Sequence, residues 1–208
     1  PTETPTPNLT VVPTQTPLPT PTPEPTVTPT LEPTDQPLIV STGPIATAKT
    51  PLRLGRQESV PEAGFAFKAP VNYTTSYSPN QVTITSDDQD TVLSLLGGRF
   101  QREEALQDDF NQFAEMIALT LDEFQTNETY QYMIDGYSGI AAEVSGYYGE
   151  SEIVGRIVVV APGEDQLFYA LAFSPRLDNG EGWEPEGRQA FEAVIRTVIF
   201  FEPFQVEE

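Results

Sequence analysis

Proline recurs so often in the first fifty residues that neither a helix nor a sheet can form there. Residues 1–51 contain 14 of the 21 prolines, most of them alternating with threonine. Each proline lacks an amide hydrogen, fixes its own φ angle and pushes the preceding residue toward extended geometry. We therefore expect residues 1–50 to be an extended Pro/Thr-rich stalk or linker, and residues 51–208 to form one globular domain.

The stalk predicts where the protein works. A low-complexity run of proline and threonine is typical of spacers that hold a domain away from a membrane or a cell wall. The chain begins at Pro1 without an initiator methionine, and no stretch of it has about 18 consecutive apolar residues. We expect an exported, extracytoplasmic protein, tethered to the outer face of a membrane by an upstream anchor. A proline-rich ligand for an aromatic groove is the alternative interpretation of the repeat.

The charge balance favours some partners over others. With 31 acidic and 10 basic residues, the chain has a formal net charge of -21. Nucleic acids and anionic lipid surfaces are poor partners for such a chain, whereas cations and basic proteins are better ones. We therefore expect a protein partner and no nucleic acid. A negative surface can also serve only to keep an exported protein soluble.

Cysteine and histidine are both absent from the sequence. Their absence removes disulfides, thiolate nucleophiles, catalytic Ser/His/Asp and Cys/His arrangements, and zinc sites built from nitrogen or sulfur ligands. Catalysis would have to rest on carboxylate pairs, on tyrosines, or on Lys49 and Lys68. We therefore expect a non-enzymatic protein without a cofactor.

The domain begins with strands and returns to strands after a helix. Apolar residues and turn residues predict early strands at residues 64–70, 82–85 and 91–96, with a tight turn at residues 87–90. Four later strands are predicted as a meander, at residues 130–134, 140–147, 153–161 and 167–174. The last two contain apolar runs without alternation, which predicts that both faces of these strands are covered.

Two amphipathic helices complete the prediction. The first has its apolar stripe at Leu106, Phe110, Phe113, Ile117 and Leu121. Its solvent side is predicted to include Asp108 and Asp109. The second is predicted to begin near Pro185 and to bury Phe191. Helices on both sides of an antiparallel sheet define a helix/sheet/helix sandwich in the α+β class.

The order of these elements resembles the PsbP-like sandwich family, which includes the PsbP subunit of photosystem II and bacterial lipoproteins of the DcrB and LpqN types. The likeness covers residues 60–202. It rests on residues 64–67 followed by Pro70 and on a helix with Phe110 and Phe113. It also rests on a strand entered through Asp135-Gly136-Tyr137 and on a last helix ending in Val198-Ile199-Phe200. Members are mostly non-enzymatic and often exported or lipid-anchored. The resemblance implies an accessory or binding role and transfers no site residue.

Three aromatic residues are candidates for contact with a partner. Tyr147 and Tyr148 lie beside a predicted turn, and Trp183 is the single tryptophan. Tyrosine and tryptophan provide large contact areas at low entropic cost and are enriched in protein interfaces. The alternative is that they are half-buried residues of the domain.

Asp87, Asp88 and Asp90 are candidate calcium ligands, because calcium is bound by carboxylate oxygens in flexible geometries. Their spacing lacks the glycine and the distal glutamate of an EF-hand loop. An acidic hairpin turn that holds no metal is the alternative.

The sequence is compatible with two functions of different classes. The first is a membrane-anchored accessory module that binds another protein, such as the core of a membrane complex to which it is an extrinsic subunit. The second is a carboxylate-based hydrolase or carbohydrate-binding domain at the cell surface, because acidic pairs such as Glu103/Glu104 are plentiful. An apolar patch would favour the first function, and a pocket with converging carboxylates would favour the second.

Overall fold

The computed structural model describes residues 52–101, 105–176 and 183–204, apart from the side chains of residues 184 and 185. All the described residues belong to one compact unit. The predicted stalk at residues 1–50 lies outside them, so the boundary at residue 50 stays a prediction.

The described residues form two helices and a series of antiparallel strands. The strands are β1 (Leu54–Val60), β2 (Phe65–Pro70), β3 (Tyr73–Ser78), β4 (Gln81–Ser86), β5 (Val92–Arg99), β6 (Asp122–Thr126), β7 (Tyr130–Ile134), β8 (Tyr137–Tyr148), β9 (Ser151–Val160), β10 (Gln166–Pro175) and β11 (Ile199–Phe200). The helices are α1 (Leu106–Ala118) and α2 (Arg188–Ile195), and a π-helical turn at Trp183–Gly187 leads into α2. Neither α1 nor α2 has the length and apolar character needed to span a bilayer.

Eight of the strands form one antiparallel sheet. Its order is β3-β4-β5-β10-β9-β8-β6, and β7 pairs with the first part of β8. Both β6 and β7 pair with β8, so they lie end to end along one edge of the sheet. The strand at the opposite edge is β3. The other three strands form a small sheet in the order β1-β2-β11.

The core has two parts, one on each face of the large sheet. Ile157 and Val159 of β9 belong to one cluster, whereas Val158 and Val160 belong to the other. All four residues are completely buried. The prediction that these strands are covered on both faces is confirmed. It explains why their apolar residues do not alternate with polar ones.

Helix α1 covers one face of the large sheet. Phe113 is buried, and its ring centroid lies 4.6 Å from that of Tyr169 on β10. The helix ends at Ala118, so Leu121 is buried in the segment that follows it. Asp109 is also buried, and its predicted place on the solvent side is wrong. Asp109 and Phe113 are four residues apart and therefore lie on the same face of the helix.

Helix α2 and the small sheet cover the other face together. Phe65 and Phe67 of β2 are completely buried in the same cluster as Phe191 and Val194 of α2. The α+β class and the central antiparallel sheet are confirmed. The second layer differs from the prediction, because it contains a small sheet as well as a helix.

The last helix is shorter than predicted. Ile199 and Phe200, expected at its end, instead form β11 beside β2. The change of direction occurs at Thr197, whose Oγ1 donates to the carbonyl of Val194 at 2.7 Å and accepts the amide N–H of Lys68 at 2.8 Å. The side chain of Thr197 thereby links the turn after α2 to β2.

The turn between β7 and β8 joins the large sheet to the small one. Asp135 and Gly136 both have positive φ angles, 49° and 82°. An Asp-Gly pair favours such a turn between antiparallel strands, as the sequence predicts. The Oδ2 atom of Asp135 also accepts the backbone N–H of Phe200 at 2.9 Å. The turn is thus fixed to β11.

Candidate functional site

A groove of about 510 Å³ opens at one end of the large sheet, beside the C-terminal end of α1. Its apolar lining comes from α1, from the segment after α1 and from strands β5, β9 and β10: Val92, Ile117, Leu121, Ile153, Leu171 and Phe173. Helix α1 lies mainly over β6, β8 and β9. The groove follows the side of the helix, where the sheet continues toward β5.

The edge of this groove carries polar and aromatic residues. Tyr148, the last residue of β8, lines the groove and has 68% of its surface exposed. Gln89 and Asp90 reach it from the turn between β4 and β5. An apolar floor with a few polar groups around it is typical of a binding site. Asp90 is the only carboxylate among the described residues of the lining, so the groove does not contain an acid/base pair.

Tyr147 faces the other side of the β8–β9 hairpin, because successive strand residues point to opposite faces. It lines a separate cavity of about 510 Å³ with Asp122, Glu123 and Gly149. The two candidate tyrosines therefore lie beside the hairpin turn, as the sequence indicated, but they line different cavities. That they bind a partner stays a prediction.

Trp183, the third candidate contact residue, is buried with 4% of its surface exposed. Its indole N–H donates to Oε2 of Glu143 at 3.2 Å, and its ring centroid lies 6.2 Å from that of Phe191. A partner cannot reach a side chain in this position. The predicted role of Trp183 is therefore corrected, because the residue belongs to the core cluster under α2.

A polar cluster that the sequence analysis missed surrounds Arg156 on β9. Arg156 is 3% exposed, and its Nε and Nη2 atoms donate to Oε1 of Glu143 at 2.8 Å and 2.5 Å. Its Nη1 atom donates to Glu192 of α2, whose other oxygen accepts the hydroxyl of Tyr132 at 2.8 Å. The guanidinium also lies 5.9 Å from the ring centroid of Tyr130. The cluster joins α2 to β7, β8 and β9.

The charge states of this cluster suit a structural role. Burial by itself would lower the pKa of Arg156, but the hydrogen bond and negative charge of Glu143 outweigh burial and raise the pKa. Burial and the hydrogen bond to Glu192 raise the pKa of Tyr132. The guanidinium therefore stays charged and the phenol stays neutral, and both direct their hydrogen bonds into the cluster.

The three aspartates of the predicted calcium site lie in the turn between β4 and β5. Oδ1 of Asp88 accepts the hydroxyl of Ser86 and the backbone N–H of Asp90, and the Ser86 hydrogen bond lowers the pKa of Asp88. Across residues 52–101, 105–176 and 183–204, no three His, Cys, Asp or Glu residues are grouped so that they could hold a metal ion. The calcium prediction for Asp87, Asp88 and Asp90 is therefore corrected, since Asp88 closes the turn instead.

Comparisons with known proteins identify the fold. No protein-family model and no curated protein sequence matches the chain. Cyanobacterial PsbP from Synechocystis superposes with a TM-score of 0.53 at 15% identity, over 76% of this chain and 100% of its own. The Ran-binding protein Mog1p of Saccharomyces cerevisiae has a TM-score of 0.53 at 7% identity, over 73% and 97%. A protein from Bacteroides thetaiotaomicron has a TM-score of 0.51 at 10% identity, over 71% and 49%.

The described domain therefore has the α+β sandwich fold of PsbP and Mog1p. The resemblance to PsbP-like sandwiches that the sequence indicated is confirmed at the level of the fold. At identities this low, the fold says nothing by itself about partner or activity. The features of this protein that bear on its function are the groove and the charge of the chain.

Proposed function

We propose that this protein is a non-enzymatic, extracytoplasmic accessory module that binds another protein through the groove beside α1. The observation that carries the proposal is an apolar groove with an exposed tyrosine, Tyr148, at its edge. Tyrosines in such positions contribute strongly to protein interfaces. The fold supports this role by analogy, because Mog1p, which shares it, is a Ran-binding protein.

The chemistry of the partner follows from charge. The chain has a formal net charge of -21, and Asp90 lies at the groove with Asp87 and Asp88 in the same turn. Acidic groups around an apolar site favour a segment that inserts an apolar side chain and has lysine or arginine beside it. We therefore assign to the groove a basic partner segment with an apolar anchor residue.

A stalk that tethers the domain to a membrane would strengthen its binding to an anchored partner. In the proposal, residues 1–50 connect the domain to an anchor at the outer face of a membrane, and the partner belongs to a membrane complex. Fifty residues in polyproline II geometry span at most roughly 150 Å, at about 3.1 Å per residue. A tethered domain meets an anchored partner at a raised effective concentration. Protease added to intact cells should remove the domain, and complete protection until lysis would contradict this location.

The groove is tested with two synthetic peptides, one of leucine and lysine and one of leucine and glutamate, added to the full-length chain. Fluorescence anisotropy should show binding of the lysine peptide only, weakening as salt rises because screening reduces the attraction. Tyr148→Ala should weaken binding about tenfold, which corresponds to roughly 1.4 kcal/mol.

Tyr137→Ala is the matched control for that experiment. Tyr137 begins β8 and Tyr148 ends it, so the two tyrosines lie on one strand roughly 36 Å apart at about 3.3 Å per residue. Tyr137 is also exposed, at 41%. Equal losses in the two variants, or equal binding of both peptides, would refute a specific groove.

The same pair of positions tests the proposal in native membranes. A photoreactive benzoylphenylalanine replaces Tyr148 or Tyr137 in the full-length protein, and the crosslinked peptide is sequenced by mass spectrometry. The proposal expects a crosslink from position 148 to a segment with basic residues beside an apolar one. Crosslinking from position 137 alone, or to an acidic segment, would overturn it.

A further inference from the structure

One half of the large sheet is almost free of charge, although the chain as a whole is strongly acidic. Residues 71–86, which include β3 and β4, contain no Asp, Glu, Lys or Arg, and the only charged residue of β5 is Arg99 at its end. The formal net charge of the complete chain is -21. Asp87 and Asp88 of the next turn lie near Tyr73, where β3 begins, so another acidic molecule meets the least electrostatic repulsion toward the Ser78 end of the hairpin.

Strand β3 also has an open edge. In the described part of the fold it pairs with β4 and ends the sheet, so its outward N–H and C=O groups have no neighbouring strand. Natural edge strands usually discourage further pairing with charged residues, proline or bulges. The six residues Tyr73–Ser78 contain no proline or charge, and their register with β4 is continuous.

We propose that two copies of this chain associate through β3, which pairs antiparallel with β3 of the second copy. A two-fold axis makes such a contact self-complementary, because each strand offers the same edge to the other. If the axis passes beside Ser76, so that this residue lies opposite its own copy, Tyr77 of one chain lies opposite Thr75 of the other, and such aromatic and β-branched pairs favour pairing. Tyr77 is 48% exposed in the single chain and would gain cover.

The charge pattern favours pairing with a second copy of the chain at the β3 edge over pairing at the opposite edge. Two chains of net charge -21 repel wherever their acidic surfaces meet. The opposite edge of the sheet includes Asp122 and Glu123 of β6, so self-pairing there would bring like charges together. A six-residue strand buries less than a standard interface of about 1,600 Å², so the dimer is weak and depends on concentration.

Sedimentation velocity of the full-length chain over about a hundredfold range of concentration tests this inference, in about 0.15 M and 0.5 M salt. The wild type should pass from monomer to dimer as its concentration rises. In the higher salt this transition should occur at a lower protein concentration, because screening reduces the repulsion between the copies. Ser76→Lys places like charges next to each other at the strand junction. It should weaken the association at least tenfold.

Thr126→Lys is the control, because Thr126 is an exposed threonine on the opposite edge strand, β6. This variant should dimerise like the wild type. Circular dichroism melting curves of both lysine variants should match the wild type, which separates lost pairing from lost folding. A wild type that stays monomeric at every concentration, or equal association of the two variants, would overturn the proposal. Mutation of the groove should leave the dimer unchanged.

Discussion

Arg156 and Glu143 are directly opposite each other on β9 and β8, and Nε of the arginine lies 2.8 Å from Oε1 of the glutamate. The same glutamate accepts the indole N–H of Trp183 through its other oxygen. One carboxylate therefore satisfies a buried cation and a buried indole at once. Because unpaired polar groups are costly in such a place, the pair is a sensitive point of the fold.

Glu143→Ala should lower the free energy of unfolding by about 3 kcal/mol, because it leaves the buried guanidinium without its main partner. Urea unfolding followed by tryptophan fluorescence measures the change. Glu152→Ala is the control, since Glu152 pairs with Arg176 at 3.0 Å at an exposed site. That variant should lose less than about 1 kcal/mol. Similar losses in both would mean that the Arg156 cluster contributes no more than a surface ion pair.

Phe113→Ala should destabilise the domain by about 3 to 5 kcal/mol, because it opens a cavity beside Tyr169 under α1. Asp108→Ala changes an exposed residue of the first helical turn and should cost less than about 1 kcal/mol. Denaturant unfolding of both variants provides the comparison. Equal effects would show that α1 does not bury Phe113 in solution.

Ser86→Ala should raise the pKa of Asp88 toward its ordinary value of 3.8, because the Ser86 hydroxyl is the main cause of the lowered pKa. NMR titration of the aspartate carboxyl carbons measures this shift. A lowered pKa stabilises the fold above pH 3.8, and this contribution is lost as the pH falls through the pKa of the folded state. Ser86→Ala should therefore flatten the acid dependence of stability in that range. Thr85→Ala, which points to the other face, should leave the titration unchanged.

Removal of residues 1–51 should leave the unfolding midpoint of the domain unchanged, because that segment offers too few apolar residues to contribute to a core. The first described strand, β1, begins at Leu54 and pairs with β2. Limited proteolysis of the intact chain should likewise leave a stable fragment that begins near residues 50 to 60. A lower midpoint for the truncated chain would contradict the predicted boundary at residue 50.

The protein should show no turnover of general esterase, phosphatase or glycosidase substrates. Asp122 and Glu123 both line the cavity beside Tyr147, whereas Asp165 and Glu202, which line another cavity, pair with Arg99. Turnover that disappears in folded Asp122→Asn or Glu123→Gln variants would refute the non-enzymatic proposal. Turnover by the purified protein that persists in both variants would also contradict the proposal, because it would rest on other carboxylates, on tyrosines or on lysines.

Sequence patterns predicted the elements whose side chains are buried at regular intervals. Residues 82–85 were expected as a strand and lie within β4, where buried and half-buried residues alternate. Strand β3 was missed because an edge strand needs few buried side chains, so Tyr73–Ser78 carries little apolar signal. Strand β1 was missed for the same reason, since most of its residues are exposed or half-buried.

The site was harder to predict than the fold. Tyr148 was named from its place beside a turn, but the groove that it lines depends on how α1 lies across the sheet. The spacing of apolar residues along α1 does not determine the angle at which the helix crosses the sheet. The Arg156 cluster had a usable signal, because Glu143 and Arg156 are opposite charges inside two apolar strands and buried charges need partners. Their pairing follows from the register of the β8–β9 hairpin.

Strand β8 pairs along its length with two shorter strands, β7 and β6, which are joined by residues 127–129. The backbone N–H of Asn127 donates to the carbonyl of Glu143 at 2.9 Å, whereas Glu128 and Thr129 are exposed. Exposed connections of this kind tolerate inserted sequence. An epitope or a fluorophore-binding tag placed after Glu128 should therefore preserve both strand registers, and would mark the protein at a distance from its N-terminus.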